Sequence, residues 1–135
     1  MIADKIRYHG LRNCRLLPFQ PPEMLPYSLS SADIAIVSQG KRASRLSIPS
    51  KTFNLMSVGA PLLCIADQFS ELTDLVKKFK MGASFSSDQL EEMKHFIIDV
   101  ASNPQRREHY QKNALNASLM FTDKNANLIT SAFQL

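Results

Sequence analysis

Two short apolar runs with a helix-like segment between them constrain the fold of this chain more than any other feature. The runs cover residues 32–38 and 62–66, and each has the length and composition of a buried strand. The segment 47–58 between them carries apolar side chains at helical spacing. Because strands that alternate with helices are typical of a parallel sheet, the sequence predicts an α/β fold.

Both ends of the helix between the two runs are marked in the sequence. Ser47 is a candidate N-cap with Pro49 close behind, and Ser50 is the competing cap if the helix begins later. Gly59 suits the left-handed conformation that closes a helix, and Pro61 cannot continue one. We therefore expect this helix to end just before the second apolar run.

The rest of the chain continues the alternation of helices and strands. Asp67 or Ser70 is expected to cap a helix that leads to a brief strand over 83–85. Ser87 is expected to cap the following helix, whose predicted inward face is Leu90, Met93, Phe96, Ile97 and Val100. The other predicted elements are helices over 1–11, 20–31, 104–120 and 123–135, and a strand over 13–17. The prediction is a parallel sheet flanked by helices, with further helices at the C-terminus.

Composition limits the classes of protein to which the chain can belong. Its 135 residues, with 44% hydrophobic and 21% charged, predict one soluble domain over 1–135 in the cytoplasm. The net charge of +4 is compatible with anionic ligands, but the basic residues are dispersed, so nucleic acid is not an expected partner. Cys14 and Cys64 are predicted to be small buried side chains, and the scattered histidines predict no metal site.

The start of the helix after Pro49 is a candidate anion site. It follows a long loop that carries Lys41, Arg42 and Arg45, and ligands of open parallel sheets bind beyond the carboxyl ends of the strands. Phosphate is the usual anion at such a position. The alternative interpretation is a capped helix with an exposed lysine, preceded by a solvated basic loop.

Several segments, in order, resemble the C-terminal, nucleotide-sugar-binding domain of retaining glycosyltransferases of the GT-B type, which build bacterial surface polysaccharides. The matching segments are 10–20, 25–33, 48–53, 58–61, 70–72 and 113–115. Pro49-Ser50-Lys51, followed at this spacing by Gly59-Ala60-Pro61, carries the strongest part of the resemblance. The resemblance implies a Rossmann-like sheet and hexosyl transfer from a UDP- or GDP-linked sugar, with no cofactor and no metal.

The resemblance also implies roles for individual residues. The amides of Ser50, Lys51 and Thr52 would hold the donor diphosphate, with the Lys51 ammonium nearby, and Glu71 would reach sugar hydroxyls. Many relatives carry glutamates at the positions of Leu46 and Asn54. Leu46 offers no hydrogen bond to a sugar, whereas Asn54 can contact a ribose hydroxyl without supplying a charge.

Such a domain normally begins with two more strands and a helix, and an N-terminal acceptor domain precedes it. The resemblance therefore implies an incomplete donor-binding domain that is inactive by itself, from an enzyme that is cytoplasmic or peripheral to the inner face of the membrane. The strand 13–17 would pair with 33–37, or an open sheet edge would permit self-association. The alternative is a non-catalytic module that binds an anion or a partner, or a truncated remnant.

Overall fold

The computed structural model describes residues 1–40 and 47–122, which contain six α-helices, one short 3-10 helix and three strands. The helices are α1 (Ile2–Tyr8), α2 (Leu25–Ser30), α3 (Lys51–Ser57), α4 (Glu71–Phe79), α5 (Leu90–Ser102) and α6 (Pro104–Ser118). The strands are β1 (Ala35–Ser38), β2 (Leu62–Ile65) and β3 (Gly82–Phe85), and the 3-10 helix is Pro22–Met24.

The three strands form one parallel sheet in the order β1-β2-β3. Ala35 lies opposite Leu62, and Leu62 lies opposite Gly82. Because α3 connects β1 to β2 and α4 connects β2 to β3, the carboxyl ends of all three strands lie at one edge of the sheet. The predicted α/β fold with a parallel sheet is confirmed.

The hydrophobic core lies where strand side chains meet α3, α4 and α6. The strands contribute Val37, Leu62 and Cys64, all fully buried. The helical members of the same cluster are Leu55, Met56, Leu72, Leu75, Val76, Ala114 and Ala117. Full burial of one Leu or Val side chain contributes about 1.5–3 kcal/mol relative to exposure, so this layer stabilises the arrangement of strands and helices.

The end of α3 confirms the prediction made from Gly59. Gly59 has a φ of +72°, its N–H donates to the Met56 carbonyl, and the N–H of Ala60 donates to the Leu55 carbonyl. This pair of bonds is the Schellman arrangement, which satisfies carbonyls that the helix end leaves open. A Cβ on Gly59 would lie 2.9 Å from the Cγ of Leu115, so the glycine also permits the close approach of α6.

The start of α4 distinguishes between the two predicted caps. The Ser70 hydroxyl accepts the Thr73 N–H at 3.1 Å, so Ser70 is the N-cap. Asp67 instead accepts the Phe69 N–H at 2.9 Å and orders the turn before the helix. At the other end, Lys80 adopts a left-handed conformation with a φ of 50°.

The prediction of a strand over 13–17 is wrong. These residues form no sheet pairing, and Leu16 and Leu17 are exposed. A short apolar run becomes a strand only when a neighbouring strand satisfies its backbone, and β1 pairs with β2 alone among the described residues. Self-association through the other edge of β1 stays a prediction.

Three smaller predictions are also wrong. The α5 helix begins at Leu90 rather than after a Ser87 cap, and its face toward the protein is narrower than expected, because Leu90 and Ile97 are exposed. Cys14 is exposed, whereas Cys64 is buried as predicted. By contrast, α3 begins at Lys51, which is the later of its two predicted starts. Ser50 lies at the N-cap position but makes no side-chain capping bond.

Two other expectations lie outside the described residues: the basic loop with Lys41, Arg42, Arg45 and Leu46, and the helix over 123–135. Within the described residues, no helix has the length and apolar character needed to cross a bilayer.

Candidate functional site at the carboxyl edge of the sheet

The predicted anion-binding segment lies at the carboxyl edge of the sheet. The side-chain amide of Gln39, the residue after β1, donates to the carbonyl of Ser47 and ties the segment before α3 to the end of the strand. Ser50 and Lys51 are exposed at the start of α3, and Asn54 is exposed one turn further along. The start of α3 is therefore accessible at the edge where open α/β sheets bind their ligands.

The backbone of the first turn of α3 is partly engaged within the protein. The Thr52 N–H donates to the Pro49 carbonyl at 2.9 Å, and the Phe53 N–H donates to the Ser50 carbonyl at 3.1 Å. The Thr52 side chain is buried, and its hydroxyl has no hydrogen-bond partner among residues 1–40 and 47–122. Of the three amides expected to hold a diphosphate, that of Thr52 thus already has a protein acceptor.

The Lys51 ammonium acts electrostatically on the core strand β2. Burial raises the pKa of the Cys64 thiol to about 12, and the positive charge of Lys51 opposes that rise. Lys51 is the first residue of α3, and its side chain is exposed. Its positive charge thus lies at the start of the helix, where the anion was expected.

Glu71 occupies the first turn of α4, which begins at the same edge of the sheet as α3. Its side chain is exposed. It directly follows the capping residue Ser70, and an acidic residue in the first turn of a helix is stabilised by the helix dipole. The helix cap thus explains an acidic residue at this position without any ligand.

A cleft opens between the loops that follow β2 and β3, and no sequence pattern predicted it. It has a volume of about 590 Å³. Its lining includes Asp67, Phe69, Thr73, Ser84 and Gln89, whereas Ser50, Lys51, Thr52, Asn54 and Glu71 do not line it. We call it the β2–β3 cleft. The structure thus does not place the predicted donor residues in this cleft.

Thr73 and Ser84 line one wall of the β2–β3 cleft and belong to a chain of hydroxyl groups that continues behind it. Thr73 Oγ1 lies 2.7 Å from Ser84 Oγ, 3.0 Å from Ser70 Oγ and 2.9 Å from the Asp67 carbonyl. Ser84 is eleven residues beyond Thr73, on a different element. The sequence shows Ser70 as a helix cap, but no local pattern indicates the pairing of Thr73 with Ser84.

The segment 113–115, which contributes to the resemblance, has a structural explanation. The Asn113 side-chain amide donates to the Lys80 carbonyl at 2.8 Å and holds the left-handed end of α4. Ala114 is fully buried, and Leu115 packs against Gly59. These residues fasten α6 to the ends of α3 and α4, so their pattern reflects packing rather than chemistry.

The comparison with known proteins relates about half of this chain to a glycosyltransferase. The putative colanic acid biosynthesis glycosyl transferase WcaI of Escherichia coli K12 is 34% identical over 70 residues, which are 52% of this chain and 17% of that protein. No protein-family model matches the chain, and no solved structure matches it. This chain is thus similar to one part of a glycosyltransferase and spans less than a fifth of the length of that relative.

Proposed function

We propose that this chain supplies the donor-binding part of a glycosyltransferase in polysaccharide or glycoconjugate biosynthesis. The similarity to the Escherichia coli glycosyl transferase carries this proposal, because it relates 52% of the chain to such an enzyme. The exposed position of Lys51 at the start of α3 supports it, because the segment before α3 is tied to the end of β1, and ligands of α/β sheets bind at this edge. The donor is a UDP- or GDP-linked sugar.

In this proposal the start of α3 binds the diphosphate. The amides of Ser50 and Lys51 donate to phosphate oxygens, and the Lys51 ammonium adds a point charge. The Thr52 N–H donates to the Pro49 carbonyl, so it contributes to phosphate binding only if that hydrogen bond is exchanged for one to the ligand. Lys41, Arg42 and Arg45, outside the described residues, would contribute further charge, Asn54 would contact the ribose, and Glu71 would contact the sugar.

The chemistry assigned to these groups is electrostatic. In retaining transfer, the bond between the sugar and the diphosphate breaks, and negative charge develops on the departing diphosphate. A positive charge held close to those oxygens lowers the energy of the transition state more than that of the bound donor. The acceptor is bound elsewhere, by a further domain or a partner, so transfer by this chain alone is not expected.

The test measures nucleotide binding to the full chain of 135 residues by calorimetry with UDP, GDP and inorganic diphosphate. We expect Lys51→Ala to weaken the binding of all three by about 10- to 100-fold, the range for a hydrogen bond to a charged group. Lys51→Arg should retain part of the affinity, because it keeps the charge.

Lys78→Ala is the matched control for this measurement. Lys78 is exposed in the last turn of α4, so the variant removes the same charge at the opposite end of a connecting helix. It should bind as the wild type does. Equal losses in the Lys51 and Lys78 variants, or no binding of any of the three ligands, would contradict the proposal and favour a non-catalytic module.

A further inference from the structure

The β2–β3 cleft is a concave feature of the described residues that the proposed donor site does not use. Its volume of about 590 Å³ lies within the range of about 300–1,000 Å³ that is typical of small-molecule sites. The loop after β2 contributes Asp67 and Phe69, and the loop after β3 contributes Asp88 and Gln89. The cleft can therefore admit a ligand the size of a sugar ring.

The hydroxyl chain determines which hydrogen bond the wall of the cleft offers. A threonine hydroxyl has one proton, and that of Thr73 goes to the Asp67 carbonyl, which can only accept. Ser70 donates its own proton to Thr73. The contact between Thr73 and Ser84 must then use the proton of Ser84. The Ser84 oxygen is left with accepting capacity, and Ser84 lines the cleft.

The charges that line the cleft also favour a ligand that donates hydrogen bonds. Asp67 and Asp88 are carboxylates, and Lys77 is the cation among the lining residues that the structure describes. Two carboxylates against one ammonium disfavour a phosphate or another multiply charged anion. Carboxylates and a hydroxyl oxygen that can accept are instead suited to a ligand rich in O–H groups. The polar chemistry thus selects a neutral polyol.

The rim of the cleft carries an aromatic side chain suited to the apolar face of a sugar ring. Phe69 lines the cleft and is 69% exposed. Its backbone is held by the bond from its N–H to Asp67 Oδ1 at 2.9 Å. An aromatic ring at the rim of a polar cleft can cover the apolar face of a ligand whose other face forms hydrogen bonds.

We propose that the β2–β3 cleft binds a neutral saccharide, with Ser84, Asp67 and Asp88 accepting from its hydroxyl groups and Phe69 covering its apolar face. None of Ser50, Lys51 and Thr52 contributes to this binding. It therefore does not depend on the proposed binding of a nucleotide diphosphate. The saccharide is either the sugar of a donor or a separate molecule, and the two sources share this chemistry.

The test is a titration of the full chain followed by amide chemical shifts in NMR spectra. The probes are methyl α-glucoside, methyl α-galactoside and N-acetylglucosamine. We expect at least one of them to shift the amides of 67–69 and 84–89 with a dissociation constant in the millimolar range, about that of a small contact area. Phe69→Ala should weaken this binding by about 5- to 10-fold, and Ser84→Ala should weaken it as well.

Phe19→Ala is the matched control, because Phe19 is 97% exposed and lies outside the cleft. It should leave saccharide binding unchanged. Since Phe69 is also exposed, neither phenylalanine variant should alter the thermal unfolding midpoint appreciably, which separates loss of binding from loss of folding.

Two further titrations, with UDP and with UDP-glucose, distinguish a donor sugar from a separate saccharide. Additional shifts at the cleft with UDP-glucose alone would assign the cleft to the donor sugar, and shifts with methyl glycosides alone would assign it to a separate saccharide. The proposal is overturned if no saccharide shifts the cleft amides, if inorganic phosphate shifts them instead, or if Phe69→Ala behaves as Phe19→Ala does. The Lys51 variants report on the diphosphate site independently.

Discussion

The described chain has two regions that differ in what happens to their apolar side chains. The first region is 1–34, and the second is 35–40 together with 47–118. No residue of the first region is buried, although that region includes Leu16, Leu17 and Phe19. In the second region, Leu62, Leu72 and comparable side chains are fully buried between the sheet and the helices. Apolar composition alone does not distinguish the two regions. A core forms where strands satisfy one another's backbone and present one face to a helix.

This difference predicts that the same substitution has different consequences in the two regions. Glycine, leucine and cysteine each occur in both of them, so three matched pairs of variants can test the comparison. If the second region supplies the stability of the described fold, the variant in that region should lower the unfolding free energy clearly. The matched variant in the first region should leave it nearly unchanged.

The largest effect is expected for Gly82→Ala. Gly82 has a φ of +152°, and a Cβ there would lie 1.9 Å from the Leu62 carbonyl oxygen, in the backbone of the adjacent strand. Since neither strand can move without breaking the sheet, we expect a loss of more than about 4 kcal/mol of unfolding free energy, or no folded protein. Urea unfolding followed by far-UV circular dichroism measures it.

Gly10→Ala is the matched variant in the first region. Gly10 also has a positive φ, of +59°, but a Cβ there would meet nothing within 4 Å. Its cost should stay below about 1 kcal/mol, the scale of left-handed strain at an open position. Comparable losses at Gly10 and Gly82 would show that the two regions form one cooperative unit, contrary to the comparison.

The sequence indicated the second region well because its signals are local. The apolar runs, Gly59 and Pro61 each act within one element or one turn, so the strand–helix–strand order could be predicted from short windows. Short windows could not decide whether 13–17 forms a strand, because that depends on a neighbouring strand to pair with, which no local pattern specifies. A local signal can identify a candidate strand but not its partner.

The candidate site shows the same limit. The exposed position of Lys51 at the carboxyl edge could be anticipated from the order of strands and helices. The hydrogen bond from the Thr52 amide to Pro49 could not be anticipated, because it depends on how the chain enters α3. The β2–β3 cleft could not be anticipated either, because its hydroxyl chain joins Thr73 of α4 to Ser84 of β3. Such pairings appear only when the elements are assembled.

A smaller effect than that of Gly82 is expected for Leu72→Ala. Leu72 is fully buried in α4, so truncation removes its transfer free energy and leaves a cavity. We expect a loss of about 2–5 kcal/mol in urea unfolding. Leu17→Ala, the matched variant on an exposed side chain, should remain within about 0.5 kcal/mol of the wild type. A loss at Leu17 as large as that at Leu72 would mean that the first region is packed in solution.

The smallest effect concerns the two thiols and depends on pH. Burial raises the pKa of Cys64 to about 12, from the ordinary thiol value of 9.0 expected in the unfolded chain, and Lys51 opposes the rise. The stabilisation from keeping this thiol neutral is therefore fully present below about pH 9 and is lost as the pH rises from about 9 through about 12. Between about pH 8 and 10.5, ionisation of the unfolded thiol should lower the unfolding free energy by about 2 kcal/mol, because a tenfold change in proton affinity corresponds to about 1.4 kcal/mol.

Cys64→Ala and Cys14→Ala isolate that contribution from other groups that titrate in the same range. Cys64→Ala is expected to be less stable than the wild type near pH 8, where the thiol is neutral, but the fall between about pH 8 and 10.5 should be smaller than in the wild type by about 2 kcal/mol. Cys14→Ala removes an exposed thiol from the region that buries no side chain, so its pH profile should follow the wild type. Since all three proteins share every lysine and tyrosine, parallel profiles for the wild type and Cys64→Ala would mean that Cys64 ionises equally in the folded and unfolded chains. That result would contradict the burial of Cys64 in the middle strand of the sheet. It would also weaken the distinction between the two regions, because the buried and the exposed thiol would then behave alike.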